Sequence, residues 1–222
     1  FVGADGPTHH GMFDLTYLRM IPNMTIMVPR NGAELRCMIE FAYNHDTGPL
    51  AIRYPRGNSA ELDENIIPPL EFGKAQILRK GQNVLLFAVG TMVEKAEQVA
   101  DLLEQQGVYA SVINARFVKP LDEDLIVNLG RDAKLLVSLE ENTIHGGFGS
   151  GVLEILSKNR VCIPTLQIGA PDRFIPQGSP EEQLNEAELN VEQIYGRVLE
   201  KLPEVVKKIR KKRTMEQKKR AS

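Results

Sequence analysis

The sequence predicts an α/β protein built on a mostly parallel sheet. Two observations lead there: short, β-rich apolar runs such as MTIMV at 24–28 alternate with amphipathic helical stretches, and Gly, Pro or Asn punctuates the changes between them. Composition is the third, because 42% hydrophobic and 25% charged residues in a chain of 222 suit one large globular domain or two small ones. No apolar run approaches the ~20 residues of a membrane span. Cys37 and Cys162 lie far apart without CxxC or Cys/His spacing, so a disulfide framework or zinc site has no support, and a reducing, cytoplasmic compartment is the default.

Taken in order, the run at 24–28 reads as a buried strand closed by Pro29, and Asn31 or Gly32 caps a helix over 33–43, where Leu35, Met38, Ile39 and Ala42 recur at helical spacing. Gly48-Pro49 breaks the chain before a second strand at 50–54. Residues 59–71, with Pro68-Pro69 and little periodicity, read as a linker. The runs 74–79 and 83–89 flank Lys80-Gly81-Gln82 and suggest a hairpin or strand pair with a tight turn. A second βα series follows. It has a helix at 93–106 ending at Gly107, a strand at 109–114, a helix at 122–129, a strand at 134–139, a glycine-rich turn into a helix at 151–158, and a strand at 165–168. Helices at 180–186 and 191–208 close the chain.

The chain begins with Phe1 already inside a dense motif, and is expected to be a fragment whose first 58 residues end an α/β domain. Its net charge of −2 hides an asymmetry: the stretch from Lys207 to Arg220 carries a net +8, leaving −10 on the remainder. This basic tail at 207–222 lacks aromatics to stack on bases and extends an amphipathic helix, so a solvated chain end is the reading adopted rather than nucleic-acid or membrane binding.

The residues able to carry chemistry cluster in two places. Gly3 to Gly11 packs Asp5, Thr8, His9 and His10 between glycines. Imidazoles titrate near neutral pH, and a carboxylate can accept from substrate hydroxyls. The second cluster, Arg53-Tyr54-Pro55-Arg56-Gly57-Asn58, lies at a predicted strand end, where α/β proteins place ligand crevices, and arginine forks match phosphate or carboxylate oxygens. Tyr17 and Arg19 are expected to pack or pair within the domain, Arg53 to orient the strand end, and His45 to sit at the surface. The run from His145 to Gly151 has neither a GxGxxG nor a P-loop pattern, so close helix packing is its expected use. Glu140-Glu141 before it is expected to face a subunit partner.

The segments GADGPTHHGMFDLTYLRMIPNMTIMVP, GPLAIRYPRGN, ARFVKPLD, EENTIHGGFGSGV and IPQGSPEEQ, in this order, resemble the 1-deoxy-D-xylulose-5-phosphate synthase family of transketolase-like enzymes. The resemblance implies that residues 1–58 end a pyrimidine-binding domain and that 72–206 form a transketolase C-terminal domain. It implies thiamin diphosphate and Mg²⁺ as cofactors, held mainly by sequence outside this chain, with cofactor ligands within it unknown. The implied reaction joins pyruvate, less CO2, to glyceraldehyde 3-phosphate, in a homodimer that serves isoprenoid, thiamin and pyridoxal synthesis. Residue by residue, it implies proton transfer for His9, acceptor hydroxyls for Asp5, acceptor phosphate for Arg56, and a secondary substrate contact for His10.

Other readings are a 2-oxoacid dehydrogenase β subunit, which would not need Arg56 for phosphate, or a noncatalytic assembly or regulatory module. Neither nucleic acid nor membrane is an expected partner. Mixed with DNA or with anionic vesicles across a salt series, the chain should give a flat response; binding that weakens with salt would overturn that expectation.

Overall fold

Five successive apolar residues at Val84–Ala88, all buried, have no face that tolerates water, so the strand they form must be covered on both sides. The computed structural model describes residues 1–58 and 69–202 and does cover it. The first part contains α1 (Asp14–Arg19), β1 (Thr25–Met27), α2 (Gly32–Tyr43) and β2 (Leu50–Ile52). The second runs through β3 (Gln76–Arg79), β4 (Val84–Ala88), α3 (Met92–Glu104), β5 (Ala110–Asn114), β6 (Phe117–Lys119), α4 (Glu123–Asp132) and β7 (Leu135–Thr143). It closes with α5 (Phe148–Lys158), β8 (Thr165–Ala170), α6 (Pro180–Glu186) and α7 (Val191–Glu200). Among the described residues no helix is long and apolar enough to cross a membrane.

The larger sheet has the order β3-β5-β4-β7-β8, parallel except for β3. Alternate side chains of β4 divide between two cores, as strand pleating requires. Val84, Leu86 and Ala88 pack with α3 (Val93, Ala96, Val99, Leu103) and α7 (Ile194, Val198). Leu85 and Phe87 face the other way, against Ile126 of α4 and Phe148, Val152 and Leu156 of α5. Phe87 and Phe148 stack with centroids 5.3 Å apart.

The expected hairpin between β3 and β4 does not form, because β5 lies between them. All five residues of β5 are buried, which demands a neighbour on each side, whereas the half-exposed β3 suits an edge. The tight turn is used instead to seat the start of β5. The Ser111 hydroxyl accepts from the Gly81 amide at 2.8 Å and donates to its carbonyl at 3.0 Å, and a Cβ on Gly81 would collide with the Ala110 backbone.

A smaller sheet, β2-β1-β6, joins the two parts of the chain. β1 runs parallel to β2 (Thr25 opposite Leu50), completing a βαβ unit through α2, and pairs antiparallel with β6. Asn31 caps α2 by accepting from the Glu34 amide at 2.9 Å. Met27, Met38 and Phe117 form the core here, with Phe41 against them; Phe41 and Phe72 stack at 6.1 Å, and His45, half-buried, leans on both.

Behind this sheet the Glu34 carboxylate, fully buried, accepts from Arg116 Nε at 2.8 Å, Asn114 Nδ2 at 2.9 Å and the Arg30 amide at 2.8 Å. Arg116 also donates to Gln76 Oε1 and to the Pro69 carbonyl.

Other elements differ from expectation in extent. β7 continues to Thr143, four residues past the predicted end, and α5 begins at Phe148 rather than at 151. The last helix ends at Glu200 with Lys201 as its C-cap, short of the expected 208, while most of the linker and the basic tail lie outside the described residues. Two elements, α1 and β6, were not legible in the sequence.

A buried charge stripped of its partner is strongly destabilising. Glu34→Ala should therefore lower the free energy of urea unfolding by about 3 to 5 kcal/mol, the loss expected when Arg116 and Asn114 lose the buried carboxylate they share.

Candidate functional site

The loop that opens the chain is fixed by the far end of the second part. Gly3, at φ 73°, donates its amide to Gln183 Oε1 at 3.0 Å and accepts from Gln183 Nε2 at 2.8 Å. Gln183 lies buried on α6, whose start is held by a reciprocal cap between Ser179 and Glu182. A single turn of 3-10 helix at Gly3–Asp5 then leaves the Asp5 side chain exposed. Farther along, Asn142 of β7 accepts from the Leu15 amide at 3.1 Å and donates to the Thr16 hydroxyl at 3.0 Å, which seats α1. A hydrogen bond of 2.7 Å from the Thr143 amide to the Met12 carbonyl adds to this.

Asp5 and Arg56, 51 positions apart in sequence, meet as an ion pair. They share the rim of a cavity of about 620 Å³ whose wall also includes Thr91, Lys95, Gln98 and Glu141. The Arg56 side chain is 70% exposed and that of Asp5 43%, so water screens the pair and neither group is locked by it. Glu141 forms the buried end of the cavity. It accepts from the Thr91 hydroxyl at 3.0 Å, while the Arg53 guanidinium donates to its carbonyl at 2.9 Å.

The two histidines separate. His10 is buried, with Nδ1 accepting from the Val2 amide at 3.2 Å and Nε2 placed 3.1 Å from the Ile175 carbonyl. This fixes the Nε2–H tautomer and leaves neither ring nitrogen open to a ligand, contrary to the substrate contact expected of it. Burial lowers its pKa, so it is neutral at physiological pH. His9 is exposed, bonded through Nδ1 to the Thr8 hydroxyl at 3.0 Å, and is not among the residues that line the cavity.

Several bystanders fall where the sequence placed them. Arg53 ties its strand end to β7, the Tyr17 hydroxyl donates to Asp14 Oδ1 at 2.7 Å, and Arg19 bonds the Gly146 and Gly147 carbonyls and Glu154. The glycine-rich turn does serve close packing. A Cβ on Gly147 would strike the Glu140 carboxylate, and one on Gly149 the Ser138 hydroxyl. The amides at the start of α5, from Phe148 at 2.7 Å and Gly149 at 2.8 Å, are taken by Glu140, so no phosphate need be invoked there. Glu140 and Glu141 thus both find donors within the chain, because successive strand residues point to opposite sides and each side here holds donors. Thr91 and Glu141 line the cavity although no local motif marks them; the one signal in the sequence is a pair of acids at the end of an otherwise apolar strand.

Family models match nearly the whole described chain: that described as "Transketolase, pyrimidine binding domain" over residues 1–61 and that described as "Transketolase, C-terminal domain" over 73–194. The chain belongs to the transketolase family. Among its transketolase-family relatives, the 1-deoxy-D-xylulose-5-phosphate synthase of Microcystis aeruginosa is 48% identical over 200 residues, which is 89% of this chain and 31% of that protein. The namesake from Synechococcus elongatus is 48% identical over 202 residues, 90% of this chain and 32% of the relative. The chain therefore spans about a third of the length of these relatives. Of solved structures, one described as "Split gene transketolase, inactive beta4 tetramer" superposes with TM-score 0.83 at 31% identity, covering 91% of this chain and 65% of that one. A Pichia stipitis transketolase superposes at TM-score 0.68 and 22% identity, covering 90% of this chain and 28% of that one, a likeness of fold.

Burial pushes the Glu140 carboxyl up to about 7, against the two α5 amides, which favour its charged form. The folded chain thus keeps a proton that the unfolded chain releases from about pH 4.5 upward. The resulting stabilisation is complete below that pH and disappears as pH rises through about 7. Between pH 5 and 8, wild type should lose up to about 3 kcal/mol more unfolding free energy than Glu140→Gln; parallel pH profiles would remove the assignment.

Proposed function

We propose that the chain supplies the acceptor side of the active site of a 1-deoxy-D-xylulose-5-phosphate synthase, which condenses pyruvate with glyceraldehyde 3-phosphate. The observation that carries this is the meeting of Asp5 and Arg56 at the rim of one cavity: a carboxylate suited to hydroxyls beside a guanidinium suited to phosphate, as a phosphorylated hydroxyaldehyde requires. The 48% identity to proteins of that name over about 90% of the chain supports it.

Thiamin diphosphate, held mainly by sequence outside this chain, would supply the electron sink for decarboxylation. Mg²⁺ is proposed to be held, like the thiamin diphosphate, mainly by sequence outside this chain. The chain's own residues then have limited tasks. Arg56 exchanges Asp5 for the acceptor phosphate, and Asp5, once released, accepts from the acceptor hydroxyls. His9, exposed and with one ring nitrogen fixed by Thr8, moves a proton at the acceptor oxygen. His10 fixes the loop that carries them.

The proposed division is a pyrimidine-binding segment at 1–58, a linker at 59–71, a transketolase C-terminal domain at 72–206 and a basic tail at 207–222. The whole enzyme is proposed as a cytoplasmic homodimer, and this chain alone as inactive. The split-gene transketolase that superposes on the chain is described as an inactive β4 tetramer, which agrees with that last point.

In the complete enzyme, Arg56→Ala should raise KM for glyceraldehyde 3-phosphate by about tenfold or more while changing that for pyruvate by less than about twofold. Equal changes in both would remove the phosphate role.

A further inference from the structure

The cavity has a wall that the two motifs do not explain. α3 buries Val93, Ala96, Val99, Ala100 and Leu103 in the core, and its opposite stripe, Glu94, Lys95 and Gln98 with Thr91 just ahead of it, recurs at helical spacing along the cavity that Asp5 and Arg56 border. Each carboxylate in that lining has a partner: Asp5 has Arg56, Glu141 has the Thr91 hydroxyl, and Glu94 has the Gln98 amide at 3.5 Å. Lys95, half-buried, is in no ion pair among the described residues. It also borders an adjoining cavity of about 530 Å³ between α3 and the helices α6 and α7, so it stands where the two spaces meet.

We propose that Lys95 is a second cationic contact for the phosphorylated end of the ligand held at Arg56, which makes α3 a specificity-determining wall of the site. The proposal rests on the reading of Arg56 given above. Its chemistry is complementary: a phosphate carries up to two negative charges, Arg56 offers a planar fork for one edge, and Lys95 adds a point charge from another element. When the anion displaces Asp5 from Arg56, the released carboxylate is left uncompensated at the rim, and Lys95, in no ion pair among the described residues, offsets it. The phosphate subsite would then be assembled from both parts of the chain, the first giving Arg56 and the second giving Lys95.

The test is a titration of the 222-residue chain with inorganic phosphate at low ionic strength, followed by calorimetry, for wild type, Arg56→Ala, Lys95→Gln and Lys95→Arg. Thermal melts would check that the exposed-face substitutions leave the fold intact. Lys95→Gln should weaken phosphate by about fivefold or more, Lys95→Arg should stay within about twofold of wild type, and Arg56→Ala should weaken it at least as much as Lys95→Gln. Loss with Arg56→Ala but not with Lys95→Gln would overturn the role of Lys95 and leave that of Arg56 standing. Loss with Lys95→Gln alone would overturn the shared site, and no effect of either, or no binding in wild type, would overturn both assignments.

Discussion

The carboxyl end of β7 is the point from which the candidate site hangs. Four consecutive residues there each satisfy a different neighbour: Glu140 the amides that start α5, Glu141 the cavity's Thr91 and, through its carbonyl, Arg53, Asn142 the start of α1, and Thr143 the Met12 carbonyl. Strand alternation alone sends neighbouring side chains to opposite faces, so one strand end can bind two layers at once. Remove these bonds and the loop carrying Asp5 and His9 keeps its anchor to Gln183 but loses the support of α1 behind it.

A second constraint holds the arginine side. β6, supplied by the second part of the chain, completes the sheet of the first, and Glu34 with Arg116 locks that junction in a fully buried polar cluster. Such a pair adds little net stability compared with apolar residues of the same shape, yet it tolerates few alternative arrangements because every misplacement strands a charge. β1 is thereby held beside β6, and Arg53 follows from it, its amide bonded at 2.9 Å to the Met27 carbonyl. Arg56, three residues on, is carried to the cavity rim by that strand end.

The electrostatics of the rim differ in kind from those of the interior. The Asp5–Arg56 pair is exposed and screened, so an anion can compete for the guanidinium at modest cost, whereas Glu140, Glu141 and Glu34 are buried with donors already bonded to them. This contrast suits a site whose rim must rearrange around a charged ligand while its floor does not.

Local sequence determined most of the elements. Apolar runs bounded by Gly or Pro located β1, β4, β5 and β8, helical spacing located α2, α3, α4 and α7, and motif order pointed to Asp5, His9 and Arg56 as a group. Tertiary structure decided what depends on distant partners. β6 is three residues long and exists because β1 lies beside it, α1 is held by Asn142 from more than 120 positions away, and β5 displaced an apparent hairpin because a fully buried strand needs two neighbours. The parting of His9 from His10 is of the same kind: adjacent residues with identical side chains, one open to water and one closed on Val2 and Ile175, a difference set by the backbone groups that happen to face each ring and so absent from the letters themselves.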